Sequence, residues 1–172
     1  MNIRKGTSAD LNGIERIYDA ILTEEEQGRG HTNWQRGVYP TRKDAQEALN
    51  AGTLYVAVEG NDVVAAANLN HIQLPEYNDI DWAFPAEGDE VMVIHTLVVC
   101  PHQSGKGIGR AFVAYAEELG RSQGCKVMRL DTYEGNTPAA ALYRKLGYRD
   151  AGKTKFNFYG IIEYLILLEK LL

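Results

Sequence analysis

Apolar residues recur along this chain with two distinct periods. A helical period marks positions 11–21, where Leu11, Ile14, Ile17, Tyr18 and Ile21 share one face behind Thr7 or Ser8 as a cap. It returns over 41–49, opened by Thr41 with Asp44 as a capping pair. It returns again through Ile108, Ala111, Phe112, Tyr115, Ala116 and Leu119, stopped by Gly124. A last helix starts at Thr137-Pro138 and closes at Gly147, with Ala139, Leu142, Tyr143 and Leu146 on one side. Strand-like runs occupy 2–5, 54–59, 63–69, 91–99 and 127–130, the last ending in Asp131, and two more follow Tyr148 around a turn at 157–160. Gly60-Asn61-Asp62 reads as a hairpin turn. Segments 24–40 and 75–88 show neither period and read as excursions. The order βααβββαβαββ predicts an α/β (α+β) fold: one domain over 1–172, a mixed sheet flanked by helices.

Composition narrows the class. The 172 residues are 45% hydrophobic and 24% charged, with formal net charge −5. That suits a globular domain able to bury a core without staples, and it argues against a nucleic-acid surface, which needs clustered Lys and Arg. Cys100 and Cys125 lack the spacing of a zinc site, and His31, His71 and His102 are scattered, so no metal is expected. Neither a signal-peptide core at Met1–Lys5 nor a membrane-length apolar run is seen, which leads to an expected cytoplasmic location. The apolar last strand offers an edge for a homodimer across a twofold axis.

The chemistry concentrates after the strand 91–99. Val98-Val99-Cys100-Pro101-His102-Gln103-Ser104-Gly105-Lys106-Gly107-Ile108-Gly109-Arg110 passes from strand to helix through glycines at every second position. Such a turn brings backbone close to a ligand and aims helix N–H groups at an anion, so a phosphate or pyrophosphate is the expected guest. A Walker loop is excluded because Lys106 lies inside the glycines. A dinucleotide fingerprint wants a third glycine where Arg110 stands, although Asp131 sits at a fitting distance.

Downstream, Asp131-Thr132-Tyr133-Glu134-Gly135-Asn136 precedes Ala139, Ala140 and Leu142-Tyr143-Arg144-Lys145-Leu146-Gly147-Tyr148. This block resembles the second signature of the GNAT superfamily of N-acetyltransferases, and the glycine run resembles its pyrophosphate loop. The two together span roughly the C-terminal half of the core. The resemblance implies a GNAT-type fold with a mostly antiparallel sheet and acetyl-coenzyme A as donor. It places the pyrophosphate on Ser104, Gly105, Lys106, Gly107, Ile108, Gly109 and Arg110, the pantetheine arm along Leu97, Val98 and Val99, and further contacts at Asn136 and Tyr143. Ser104 departs from the family's usual Gln or Arg, which keeps a backbone donor but shortens the side chain.

By the same resemblance, Tyr143 protonates the departing thiolate; read alone, it would be a core aromatic. A backbone N–H near Leu97 would serve the oxyanion. An amine arriving as ammonium must lose a proton before it attacks; His95 is the first candidate to take it, since its reference pKa suits a base near neutrality, with Asp131, where the resemblance implies an acidic residue in some family members, and ordered water as the alternatives. His95-Thr96-Leu97-Val98-Val99 resembles the His-x-Leu-x-Val strand of arylalkylamine acetyltransferases, and alternation puts His95 on the face of Leu97 and Val99.

Acceptor selection is expected in the aperiodic segments, at Trp34, Tyr39 and Trp82, with Tyr77, Asp79, Asp81 and Phe84 nearby in sequence. The expected reaction is direct acetyl transfer to a primary amine of a small molecule or peptide. The alternatives are a non-catalytic acyl-coenzyme A sensor and an NAD(P)-dependent oxidoreductase.

Overall fold

A computed structural model describes residues 1–172. The elements follow the expected order: β1 (Asn2–Lys5), α1 (Leu11–Glu26), α2 (Arg42–Asn50), β2 (Leu54–Glu59), β3 (Asp62–Asn70), β4 (Val91–Val99), α3 (Ile108–Ser122), β5 (Val127–Tyr133), α4 (Thr137–Lys145), β6 (Arg149–Phe158) and β7 (Ile161–Leu171). The strands form one seven-stranded mixed sheet in the order β1-β2-β3-β4-β5-β7-β6. β4 and β5 pair in parallel, from Val91 opposite Val127 to Ile94 opposite Leu130; β1–β2, β2–β3, β5–β7 and β6–β7 are antiparallel. No helix is long and apolar enough to cross a membrane.

Contacts divide the chain into two compact units, Met1–Leu69 with His95–Tyr115, and Asn70–Ile94 with Ala116–Leu172. The first has its core where Leu11, Ile14, Ile17 and Tyr18 of α1 meet Ala45 and Ala48 of α2, Leu54, Val56 and Ala66 of the sheet, and Val98. The core of the second joins Val91, Val93 and Val127 with Leu165 and Leu167, and with Tyr77 and Ala86 from the long excursion.

Local chemistry explains several boundaries. The Thr41 N–H and hydroxyl both reach Asp44 Oδ2, at 2.6 and 2.7 Å, and so fix the start of α2. At the other predicted cap, Thr7 and Asp10 close a short turn at Ser8–Asp10 and α1 begins only at Leu11. Helix α1 also outlasts its expected end, running through Glu24 and Glu25 to Glu26. β5 continues through Asp131 to Tyr133, because β7 pairs with it along that whole length. β7 is itself interior, with β5 on one side and β6 on the other, so the sheet's edges are β1 and β6 and the last strand has no free edge of its own.

Asp10 anchors β1 to this architecture. Arg4 donates to both its oxygens at 2.8 and 2.9 Å, and Thr7 adds N–H and hydroxyl bonds at 2.8 Å. The Arg4 hydrogen bonds, with help from Thr7 and against the pull of burial, hold the Asp10 carboxyl down at about 2. A carboxylate depressed in the folded state stabilises at any pH above its unfolded value of about 3.9, and that stability drains away as pH falls through the folded value. Asp10→Asn is therefore expected to cost about 2 kcal/mol near neutrality and to flatten the acid limb of the stability curve. Urea unfolding repeated at several pH values measures both effects.

Candidate active site

In the first unit, β4 runs into the glycine loop. Pro101–Gln103 form a tight turn, with the Gln103 N–H on Cys100 O at 2.8 Å and the Ser104 N–H on Pro101 O at 3.1 Å. Gly105 and Gly107 both sit at φ +79°, a left-handed conformation with open space where a Cβ would project. The Gly107 carbonyl accepts from Ala111 at 3.0 Å, so α3 springs directly from the loop. The leading N–H groups of that helix have no carbonyl four residues back and carry the positive end of its dipole.

Ser104, Gly105, Lys106, Gly107 and Arg110 are exposed, and Gly109 is half-buried. Lys106 Nζ lies 2.5 Å from Gln103 Oε1. Ile108 and Val98 turn their side chains into the core, at 3% and 2% exposure, so only their backbone groups remain for a ligand. Leu97 and Val99 are half-buried. The open left-handed backbone and the unpaired helix start fit a diphosphate.

The middle of β4 departs from the expected pleat. Thr96 has φ +51°, a conformation that β-branched residues rarely adopt, so strict alternation from His95 to Val99 is broken there. His95 is half-buried. The Tyr39 hydroxyl is hydrogen-bonded to Thr96 Oγ1, and Trp34 meets the Tyr39 ring edge-on at 5.5 Å. Two of the three predicted acceptor residues thus stand together against the distorted strand.

The second unit holds the titratable pair. Asp131 is half-buried on β5, and its Oδ2 accepts the Tyr77 hydroxyl at 2.8 Å. Burial, with the charges of Glu163 and Glu76, pushes the Asp131 carboxyl up to about 6 against the opposing Tyr77 hydrogen bond. Tyr143, on the last turn of α4, is 6% exposed and lies edge-on to Tyr148. Burial first, and the Asp131 charge second, raise the Tyr143 phenol above its ordinary value. Asn136 caps α4, its Oδ1 accepting from Ala139 at 3.3 Å.

Trp82 also belongs to this unit. Its indole N–H donates to Tyr77 O at 2.9 Å, and Arg129 lies over its ring at 4.2 Å. Its N–H and one of its faces are therefore engaged inside the protein. Tyr77, expected with its segment to help select the acceptor, instead turns its hydroxyl to Asp131, and the positive φ of Thr96 has no counterpart in the sequence pattern. Tyr77 bonds a partner 54 positions away, and neither feature carries a periodic signal.

Comparison with known proteins gives one consistent result. The model of the Acetyltransferase (GNAT) family matches residues 14–148. An L-methionine sulfoximine/L-methionine sulfone acetyltransferase from Pseudomonas paraeruginosa is 36% identical over 152 residues, 88% of this chain and 82% of that protein. A GNAT-family acetyltransferase from Streptococcus agalactiae superposes with TM-score 0.83 at 18% identity, over 99% of this chain and 95% of its own. A Salmonella typhimurium structure solved with its cofactor acetyl-CoA gives TM-score 0.72 at 18% identity, over 99% and 93% of the two chains.

Proposed function

We propose, since this chain belongs to the GNAT family of acetyltransferases and is an N-acetyltransferase, that Asp131 and Tyr143 are its base and acid and that its acceptor is the amine of a small amino-acid-like molecule. Acetyl-CoA is the donor. The acceptor class is supported by the 36% identity to an enzyme named for methionine sulfoximine and methionine sulfone. The base–acid assignment is supported by a half-buried carboxyl on β5 whose Oδ2 takes the Tyr77 hydroxyl at 2.8 Å, which burial pushes up to about 6 and whose charge adds to the effect of burial in raising the phenol of Tyr143. The oxidoreductase alternative gives way to the family membership.

Each residue then has a physical task. The loop from Ser104 to Arg110 and the start of α3 would hold the donor's diphosphate, with Leu97 to Val99 beside its arm and Asn136 fixing the helix that carries Tyr143. Bound there, the donor supplies an acyl thioester whose thiol leaves. An alkyl ammonium near pKa ~10 must be deprotonated before it can attack. Asp131, ionised above about pH 6, can take that proton on Oδ1, since Oδ2 is engaged by Tyr77. Trp34 and Tyr39, together against Thr96, are the first unit's candidates for acceptor selection.

The matching experiment follows free thiol release across an amine panel that includes L-methionine sulfoximine. Release with that compound is expected, and none with any amine would favour the sensor reading. Under saturating amine, the rate should fall as pH drops through about 6, as the Asp131 carboxyl protonates. Asp131→Asn should cut kcat roughly a hundredfold or more and abolish that limb. The same change should raise thermal stability at neutral pH, because a carboxyl whose pKa is raised by folding opposes folding once it is ionised. His95→Ala should keep the limb; losing it would transfer the base role to His95.

A further inference from the structure

We propose that Tyr77 is a positioning residue for the reaction: its hydroxyl grips Asp131 Oδ2, fixes the carboxylate's orientation and leaves Oδ1 to meet the acceptor's proton. The inference rests on the reading of Asp131 as the base.

The contact is built rather than incidental. Tyr77 is 2% exposed and lies in the short turn Pro75–Asp79. Its N–H donates to Leu74 O at 2.9 Å, while its carbonyl accepts from Trp82 Nε1 at 2.9 Å. The two rings stand 5.4 Å apart. Beyond them the segment is held again. Arg129 Nη2 donates to Phe84 O at 2.9 Å, and the fully buried Glu169 accepts the N–H groups of Ala83 and Phe84 at 2.9 and 3.3 Å. Arg149 pairs with the same carboxylate. The aperiodic segment is thus fastened at both ends of its aromatic stretch, and the Tyr77 hydroxyl has little freedom to leave Asp131.

A stability role alone does not explain this pair. A buried tyrosine hydroxyl needs a partner, and a backbone carbonyl or a neutral side chain would satisfy it. A carboxyl in its place must be desolvated, which works against folding at neutral pH. Phe opposite an apolar residue would fill the same space without that cost. The arrangement makes sense where a carboxylate is wanted for its charge and must be pointed.

The groups facing Asp131 divide by sign. Tyr77 from the turn offers a hydrogen bond to the ionised form. Glu76 from the same turn and Glu163 from β7 add negative charge that opposes ionisation, and Tyr143 from α4 senses the Asp131 charge. Arg129, two residues back on β5, acts on Tyr77. Glu76 Oε2 is buried without a hydrogen-bond partner. One short turn therefore presents Asp131 with two opposing influences side by side.

That opposition supplies the test. Tyr77→Phe should move the acid limb of kcat, and the 13C titration of the Asp131 carboxyl in substrate-free protein, upward by about one pH unit or more. It should lower the plateau kcat roughly tenfold through lost orientation, with the KM for acetyl-CoA unchanged. Glu76→Gln should move both midpoints downward. General damage to the fold would not shift the two variants in opposite directions. In the unaltered protein, the Tyr77 Cζ resonance should titrate with the Asp131 midpoint, which keeps the test open even if Tyr77→Phe folds poorly. If Asp131→Asn abolishes the limb but the Tyr77 resonance stays flat and Tyr77→Phe leaves both midpoints in place, Tyr77 has no positioning role and the base assignment stands. If Asp131→Asn leaves the limb intact, base and positioning residue fall together.

Discussion

Tyr143→Phe should slow turnover by roughly a hundredfold or more while leaving the Kd for acetyl-CoA within about twofold. The substitution removes one oxygen from a side chain that is 6% exposed and packed edge-on against Tyr148, so the ring and its contacts stay. What is lost is the proton. At neutral pH the phenol keeps it firmly, because burial and the nearby Asp131 charge both raise its pKa. A phenol that weak is a poor donor to a thiolate of pKa about 8.5 unless something changes during the reaction. The change is available within the same pair. When Asp131 accepts the amine's proton its charge disappears, and one of the two causes of the raised phenol pKa disappears with it. Deprotonating the acceptor thus makes Tyr143 a better acid for the step in which the thiol leaves. Steady-state kcat beside an equilibrium titration of acetyl-CoA separates the two quantities, and turnover equal to the unaltered enzyme would remove Tyr143 from the chemistry.

The parts of this arrangement that could be read in the sequence are those written in local signals. The helix start at Thr41 depends on a partner three residues on, and the start at Thr137 on the proline that follows it. The loop from Ser104 to Arg110 depends on glycine spacing, and the sheet on alternation within short runs. These gave the element order and a family resemblance. The parts that could not be read depend on distant partners or on a broken rule. Tyr77 meets Asp131 across 54 positions, and Arg129 meets Phe84 across 45. Neither pair leaves a periodic trace, so the segment 75–88 looked like an excursion when it is stapled to β5 and β7. At Thr96 the positive φ overrides the alternation from which the face of His95 was inferred. β5 extends past Asp131, which in the sequence reads as a strand terminator, because pairing with Leu167 and on to Leu165 of β7 carries the strand to Tyr133.

Gly107→Val should lower acetyl-CoA affinity by about a hundredfold or more in a protein that still folds. Gly107 sits at φ +79°, where an L-residue costs roughly 1–2 kcal/mol and a β-branched one more. Space is not the obstacle, since nothing lies within 4 Å of a Cβ built there. The strain is relieved by turning the backbone, and that same backbone holds the first N–H groups of α3 toward the anion. Ile108, buried at 3%, pins the next residue, so the distortion concentrates in the loop. Gly124 supplies the control. It lies past the C-terminal end of α3 at φ +82°, again with open space around its Cβ. Gly124→Val therefore imposes comparable strain and a comparable loss of thermal stability, without touching the helix start. If binding depends on the geometry of the loop, the two variants should melt alike and differ by about two orders of magnitude in Kd, read by calorimetric titration. Equal affinities would mean that the donor's diphosphate is not held where the helix begins.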